Sequence, residues 1–124
     1  MNQRPLRPLE WVGDSKERLK EFPQAVQKEM GDALFMAQAG RPPPSAKPLK
    51  GIDSGVFEIV SDYRSDTYRA VYAVKIGESI YMLHAFQKKS KRGIKTPKQE
   101  INLIKRRFKI AQPLEAEHER RHQK

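Results

Sequence analysis

The stretch Val56–Lys88, VFEIVSDYRSDTYRAVYAVKIGESIYMLHAFQK, decides how this chain folds. It contains three runs with strand composition: Val56–Ser61, Thr67–Lys75 (rich in Tyr, Val and Thr) and Ser79–Gln87. The connections Asp62–Asp66 and Ile76–Glu78 are short, and the second carries Gly77, so both suit hairpins. The expectation is an antiparallel meander. Side chains alternate across a strand, so Tyr68, Ala70, Tyr72 and Val74 share one face and look like core. Pairing the core faces leaves Glu58, Arg69, His84, Phe86 and Lys88 together on the opposite, open face. The last run is apolar on both sides, so its parity is the least defined.

On the N-terminal side, residues 1–8 read as a loose arm with Pro5 and Pro8, and Leu9–Val12 as a short strand added at one sheet edge. Asp14-Ser15-Lys16-Glu17 has the form of a capping box opening a helix whose inner face carries Leu19 and Phe22. Pro23 suits the first position of a second helix. Ala25, Val26, Met30, Ala33, Leu34 and Ala37 keep helical spacing up to a C-terminal Gly40. Arg41–Pro48, with Pro42, Pro43, Pro44 and Pro48, reads as a stiff connector without regular structure. Beyond the meander lies a basic loop, Lys88–Lys95, and then Thr96-Pro97-Lys98-Gln99 opens a helix with Thr96 as cap. Ile101, Ile104 and Phe108 face the sheet, and Lys105, Arg106, Arg107 and Lys109 point largely away. The tail, 111–124, is polar and reads as disordered from Pro113. The expected fold class is therefore α+β: one domain over 9–110, a small antiparallel sheet of about four strands with an N-terminal helical hairpin on one face and a C-terminal helix, all helices on the same face.

The chain has 124 residues, 37% of them apolar and 32% charged, which suits one domain with a small core. No segment is long and apolar enough for a membrane span, and no secretory signal is expected, so a cytoplasmic location follows. With no cysteine there is no disulfide scaffold, thiol nucleophile or cysteine-ligated metal. The net charge is +10, and it is concentrated. Residues 86–109 hold ten Lys and Arg against Glu100 alone, nearly the whole excess in a fifth of the chain. Such a block attracts a polyanion, and nucleic acid is the usual one; a solvated face or an acidic protein partner are the plainer explanations.

On the open face, Arg69 suits bidentate contact with a phosphate, and Lys88 and Lys89 suit stabilisation of a pentacoordinate phosphorane. Glu58 or His84 could move protons, and Phe86 could stack on an unpaired base. Each has a blander counterpart. Glu58–Arg69 also reads as a cross-strand salt bridge, His84 as a hydrogen-bonded structural histidine, Phe86 as packing, and Lys88-Lys89 as solvated charge. There is no Gly-rich phosphate loop or nucleophile elbow, and His118 and His122 lack a third metal ligand.

Several runs together resemble a known family: Lys47-Pro48-Leu49-Lys50-Gly51, Gly55-Val56-Phe57-Glu58-Ile59, Tyr68-Arg69-Ala70-Val71-Tyr72, Tyr81-Met82-Leu83-His84-Ala85-Phe86-Gln87-Lys88-Lys89-Ser90 and Lys95-Thr96-Pro97. Over about residues 9–110 the chain resembles the RelE/HigB-like toxins of type II toxin–antitoxin modules, and more closely their phage-derived Gp49-like branch. The resemblance implies a RelE-like fold and an endoribonuclease that cleaves mRNA, commonly at the ribosome, by attack of the 2′-hydroxyl on the adjacent phosphate. It implies a cognate helix-turn-helix antitoxin, and neither a metal nor another cofactor. It carries Arg69 over as the arginine at the scissile phosphate, and Lys88 and Lys89 as the basic pair ending the last strand. Glu58 stands where relatives place a lysine or another polar residue, and Thr96-Pro97 where some place a tyrosine, so the general base is left open. Arg64, Lys91, Arg92 and Lys95 complete the expected RNA contacts. A gyrase-directed inhibitor on the same scaffold, like the ParE relatives, or an accessory nucleic-acid-binding domain are the alternatives.

Overall fold

Tyr68, Ala70 and Tyr72 do alternate with Arg69, Val71 and Ala73 across a sheet, but both sets are buried. The computed structural model describes residues 5–88 and 96–122, with side chains as far as Pro113. The elements run β1 (Leu9–Trp11), α1 (Ser15–Lys20), α2 (Gln24–Gln38), β2 (Ala46–Pro48), β3 (Val56–Tyr63), β4 (Asp66–Ala73), β5 (Ile80–Lys88) and α3 (Lys98–His122). Among the described residues they form one five-stranded sheet in the order β1-β5-β4-β3-β2. The α+β class and the β3-β4-β5 meander are as expected. The sheet is mixed, because β1 joins β5 in parallel.

Two hydrophobic layers flank the sheet. Leu19 and Phe22, from α1 and the turn after it, pack with Val26, Met30 and Leu34 of α2 against Ile59, Tyr68, Ala70, Tyr72, Ile80 and Met82. On the other face Ile104, Phe108 and Ala111 of α3 pack on Val56, Val71, Ala73, Tyr81, Leu83 and Phe86. Burying Ile104 and Phe108 is worth roughly 1.5–3 kcal/mol each, enough to make α3 part of the fold. The expectation that all helices share one face is therefore corrected: the face called open is covered by α3. A strand buried on both sides reads as a nearly continuous apolar run, which is the pattern of β5.

Further corrections are local. Ala46–Pro48, inside the connector, is a strand antiparallel to β3, with Pro48 opposite Phe57. Proline is compatible with an edge strand, where no second neighbour requires its missing N–H. The hairpin between β3 and β4 closes on Arg64 and Ser65, both at positive φ (48° and 73°), the backbone that a two-residue turn needs. Pro23 lies one place before the first residue of α2, whose opposite end closes as expected. Gly40 has φ 81°, its N–H bonds Ala37 O, and Arg41 N–H reaches Met36 O, a Schellman closure. Ala25 is exposed.

The arm is fastened from Arg7 onward. Its guanidinium donates to the carbonyls of Glu78, Val74 and Ser79, and its backbone exchanges hydrogen bonds with Gln38. At the other end α3 continues through Pro113 to His122, so the expected disordered tail is helical there. Its Ala, Glu, Gln and Arg content favours helix.

Candidate active site

In β4 the register sets Arg69 opposite Val60 of β3 and Phe86 of β5, while Val71 lies between Glu58 and His84. Directly opposed residues share a face, so Glu58, Arg69, His84, Phe86 and Lys88 do project from one side of the sheet. They are not open to solvent. Glu58 is 1% exposed, Arg69 3%, His84 1%, Phe86 5% and Lys88 8%.

A β-bulge changes the parity of β5. Val71 pairs with His84 and Tyr72 with Met82, leaving Leu83 unopposed. Leu83 joins the α3-side layer and its neighbour His84 bonds α3, so two consecutive side chains lie on the same side. Without the bulge, His84 would share a face with Ile80 and Met82, which belong to the opposite layer.

Two buried polar groups of contacts result. In the first, Arg69 Nη1 donates to Glu58 Oε1 at 2.8 Å, and the Thr96 hydroxyl donates to Glu58 Oε2 at 2.7 Å. Arg69 Nη1 also lies 3.5 Å from Thr96 Oγ1, and its buried Nε has no hydrogen-bond partner among the described residues. Thr96 therefore closes over the ion pair rather than capping α3, which begins at Lys98. Burial lowers the pKa of Lys88, and the positive charges of Arg69 and Lys47 add to that while Glu58 opposes it.

In the second, His84 Nε2 and Glu100 Oε2 are 2.6 Å apart. Arg107 Nη1 donates to Leu83 O at 2.9 Å and lies 3.4 Å from His84 Nδ1. Arg107 Nη2 donates to Asp14 Oδ1 at 2.6 Å. The expected capping box is thus absent: the Asp14 carboxylate holds Arg107 and Arg18 and makes no cap bond. Those two arginines lower its pKa. Ser15, at the start of α1, ties that helix to β5 through a bond to Met82 O. Burial lowers the pKa of His84, with Arg107 adding to the effect and the Glu100 hydrogen bond opposing it.

Phe86 stacks on His84 with centroids 5.1 Å apart, so it is a packed ring rather than the open platform expected for a base. Arg64 is exposed at the β3–β4 turn, over the Tyr63 ring, at the same end of the sheet as Lys88. Lys89, Lys91, Arg92 and Lys95 lie outside the described residues. Glu100, Arg107 and Asp14 form no part of the expected site, whereas Thr96 is expected there only as the residue standing in place of a tyrosine. Arg107, expected on the outward side of α3, has a side chain only 12% exposed. Among the described residues, no helix is long and apolar enough to cross a membrane.

Fold and site together define a small α+β domain with a buried ionic cluster pinned between a mixed sheet and its C-terminal helix. A family model, phage-derived protein Gp49-like (DUF891), matches residues 17–109, and the chain belongs to this Gp49-like family. Among solved structures, a chain from the toxin–antitoxin complex RelBE2 of Mycobacterium tuberculosis is similar at TM-score 0.47 and 15% identity, covering 73% of this chain and 100% of that one. No match is found among curated proteins.

Proposed function

We propose that the protein is the toxin of a type II toxin–antitoxin module, a metal-independent endoribonuclease that cleaves mRNA, with the ribosome as the place of cleavage, in the cytoplasm. A helix-turn-helix antitoxin is its proposed partner. The observation that carries the reading is the gathering of Arg69, Lys88 and His84 with the carboxylates of Glu58 and Glu100 on one face of the sheet, where the basic stretch 86–109 begins. Cations beside an attacked phosphate stabilise the charge that develops there, and a carboxylate or imidazole can take the 2′-hydroxyl proton. Lys88, with Lys89 next in sequence, is assigned the charge stabilisation. Arg64 and the lysine-rich stretch that includes Lys91, Arg92 and Lys95 are assigned the grip on the RNA backbone. Arg69 meets the scissile phosphate by exchanging Glu58 and Thr96 for it.

The near-complete burial of Arg69 favours a second reading, in which Arg69 is structural and the outer lysines only hold phosphates. Induction of the chain in a bacterial host, followed by primer extension on mRNA and a plasmid supercoiling assay, separates the possibilities. Discrete mRNA breaks with normal supercoiling support the ribonuclease. Altered supercoiling with intact mRNA supports a gyrase-directed inhibitor. Salt-sensitive RNA binding without breaks supports the second reading.

A further inference from the structure

We infer that Glu100 is the catalytic base, taking the 2′-hydroxyl proton of RNA at this patch, with His84 and Arg107 as its positioning residues. This rests on the ribonuclease reading and names the group that reading leaves open.

The hydrogen bonds leave few other candidates. Both oxygens of Glu58 are engaged, by Arg69 and Thr96, and its side chain is 1% exposed. Both nitrogens of His84 are engaged, and its side chain is also 1% exposed. The Glu100 side chain is 26% exposed and uses only Oε2, so Oε1 is without a hydrogen bond among the described residues.

The surroundings of Glu100 are also built for orientation. A guanidinium can only donate, so His84 Nδ1, facing Arg107, must accept. The imidazole proton is then on Nε2, which donates to Glu100 Oε2. Arg107 is in turn fixed by Leu83 O, at the bulge, and by Asp14. Gly13, at φ 59°, leaves room for that guanidinium: a Cβ there would lie 2.8 Å from Arg107 Cζ. Three parts of the fold, the turn before α1, the β5 bulge and α3, thus converge to hold one partly exposed carboxylate. His84 and Arg69 occupy neighbouring rows on one face of the sheet, about 7 Å apart along the strands, and His84 holds the Glu100 carboxylate on that face.

The step balances without a cofactor. The 2′-O–H proton passes to Glu100 Oε1, the 2′-oxygen forms a bond to phosphorus, and the bond from phosphorus to the 5′-oxygen breaks. The departing oxygen takes a proton from water, and Glu100 returns its proton to the resulting hydroxide. The products are a 2′,3′-cyclic phosphate and a 5′-hydroxyl end.

The test compares wild type, Glu100→Gln and Arg107→Lys in a translating extract with a defined mRNA, alongside binding to an RNA whose 2′-hydroxyls are replaced by hydrogen. The glutamine keeps an oxygen to accept the His84 proton, so Glu100→Gln should melt within a few degrees of wild type. It should bind the uncleavable RNA as tightly as wild type and cleave about 100-fold more slowly or worse, the usual loss for a general base. Arg107→Lys, acting through His84, should lower kcat about tenfold with KM unchanged. A folded Glu100→Gln that cleaves within threefold of wild type overturns the inference while leaving the ribonuclease reading intact. A wild-type chain that cleaves no RNA overturns both.

Discussion

Arg69 and Glu58 form a diagonal ion pair between β4 and β3, 2.8 Å from nitrogen to oxygen, with both side chains at least 96% withdrawn from solvent. The arginine on which the functional reading depends is thus also an internal counter-ion. Removing one member of a buried pair strands the other charge, a much larger effect than losing a surface bridge. Arg69→Ala should therefore lower stability by about 3–5 kcal/mol in urea denaturation. Combining it with Glu58→Gln should recover part of that loss. Equal stability of wild type and Arg69→Ala would show that the pair is hydrated in solution. Lost toxicity in Arg69→Ala counts as a site effect only when the melting curve shows the variant folded.

Lys88 stands in the opposite relation to stability. Its pKa is lowered mainly by burial, so keeping it charged disfavours folding. Lys88→Met should leave stability within about 1 kcal/mol of wild type, removal of a costly buried charge being set against loss of the interactions its ammonium makes. It should at the same time abolish growth inhibition. Thermal melts and a colony-forming assay on the same variant check both halves. A clear loss of stability would mean that the Lys88 ammonium supports the fold.

Acid should weaken the fold through His84. Its folded pKa lies below the ordinary value near 6.5, so the unfolded chain binds the proton more readily. Stability from this group is complete above about pH 6.5 and declines as pH falls from there through the folded value. Asp14, also lowered, adds a decline that begins only below its ordinary carboxylate range, at more acid pH. Urea midpoints measured from pH 8 to pH 5.5 should fall in the wild type and stay flatter in His84→Gln. A rise on acidification would contradict the neutral imidazole.

Gly13 is the test of close packing. An added Cβ would meet the Arg107 guanidinium at 2.8–2.9 Å, on a backbone that side chains rarely adopt. Gly13→Ala should cost about 1–3 kcal/mol and loosen Arg107 from Asp14 and Leu83 O. A thermal melt gives the first effect, and cleavage by the folded fraction gives the second. A neutral substitution would show that Arg107 does not occupy that space.

How far the sequence reveals this fold varies by element. Alternation in β3 and β4 and the 3.6-residue spacing of Val26, Met30, Ala33, Leu34 and Ala37 report the core directly, because each side chain goes where its period directs it. The two-sided apolar pattern of Ile80–Phe86 already contained the coverage of both sheet faces, but a single-face sheet was the simpler assumption. β2 was obscured by its prolines, which an edge position tolerates. The bulge at Leu83 has no marker in local composition, yet it places His84 against α3. Arg107 is indistinguishable from Lys105, Arg106 and Lys109 in a run of cations; only the space above Gly13 and the position of Asp14 turn it inward. Convergence of Glu58 and Arg69 followed from parity in β3 and β4, that of His84 and Lys88 needed the bulge in β5, and the burial of all four depended on where α3 lies.

The chemistry of the RNA ends tests the central claim most directly. A defined mRNA is incubated with the purified chain in a translating extract, and the chemical nature of the new ends is determined. The account predicts cuts ending in 2′,3′-cyclic phosphate and 5′-hydroxyl groups, absent with Lys88→Met. Intact RNA, or cuts ending in 3′-hydroxyl groups, would contradict it.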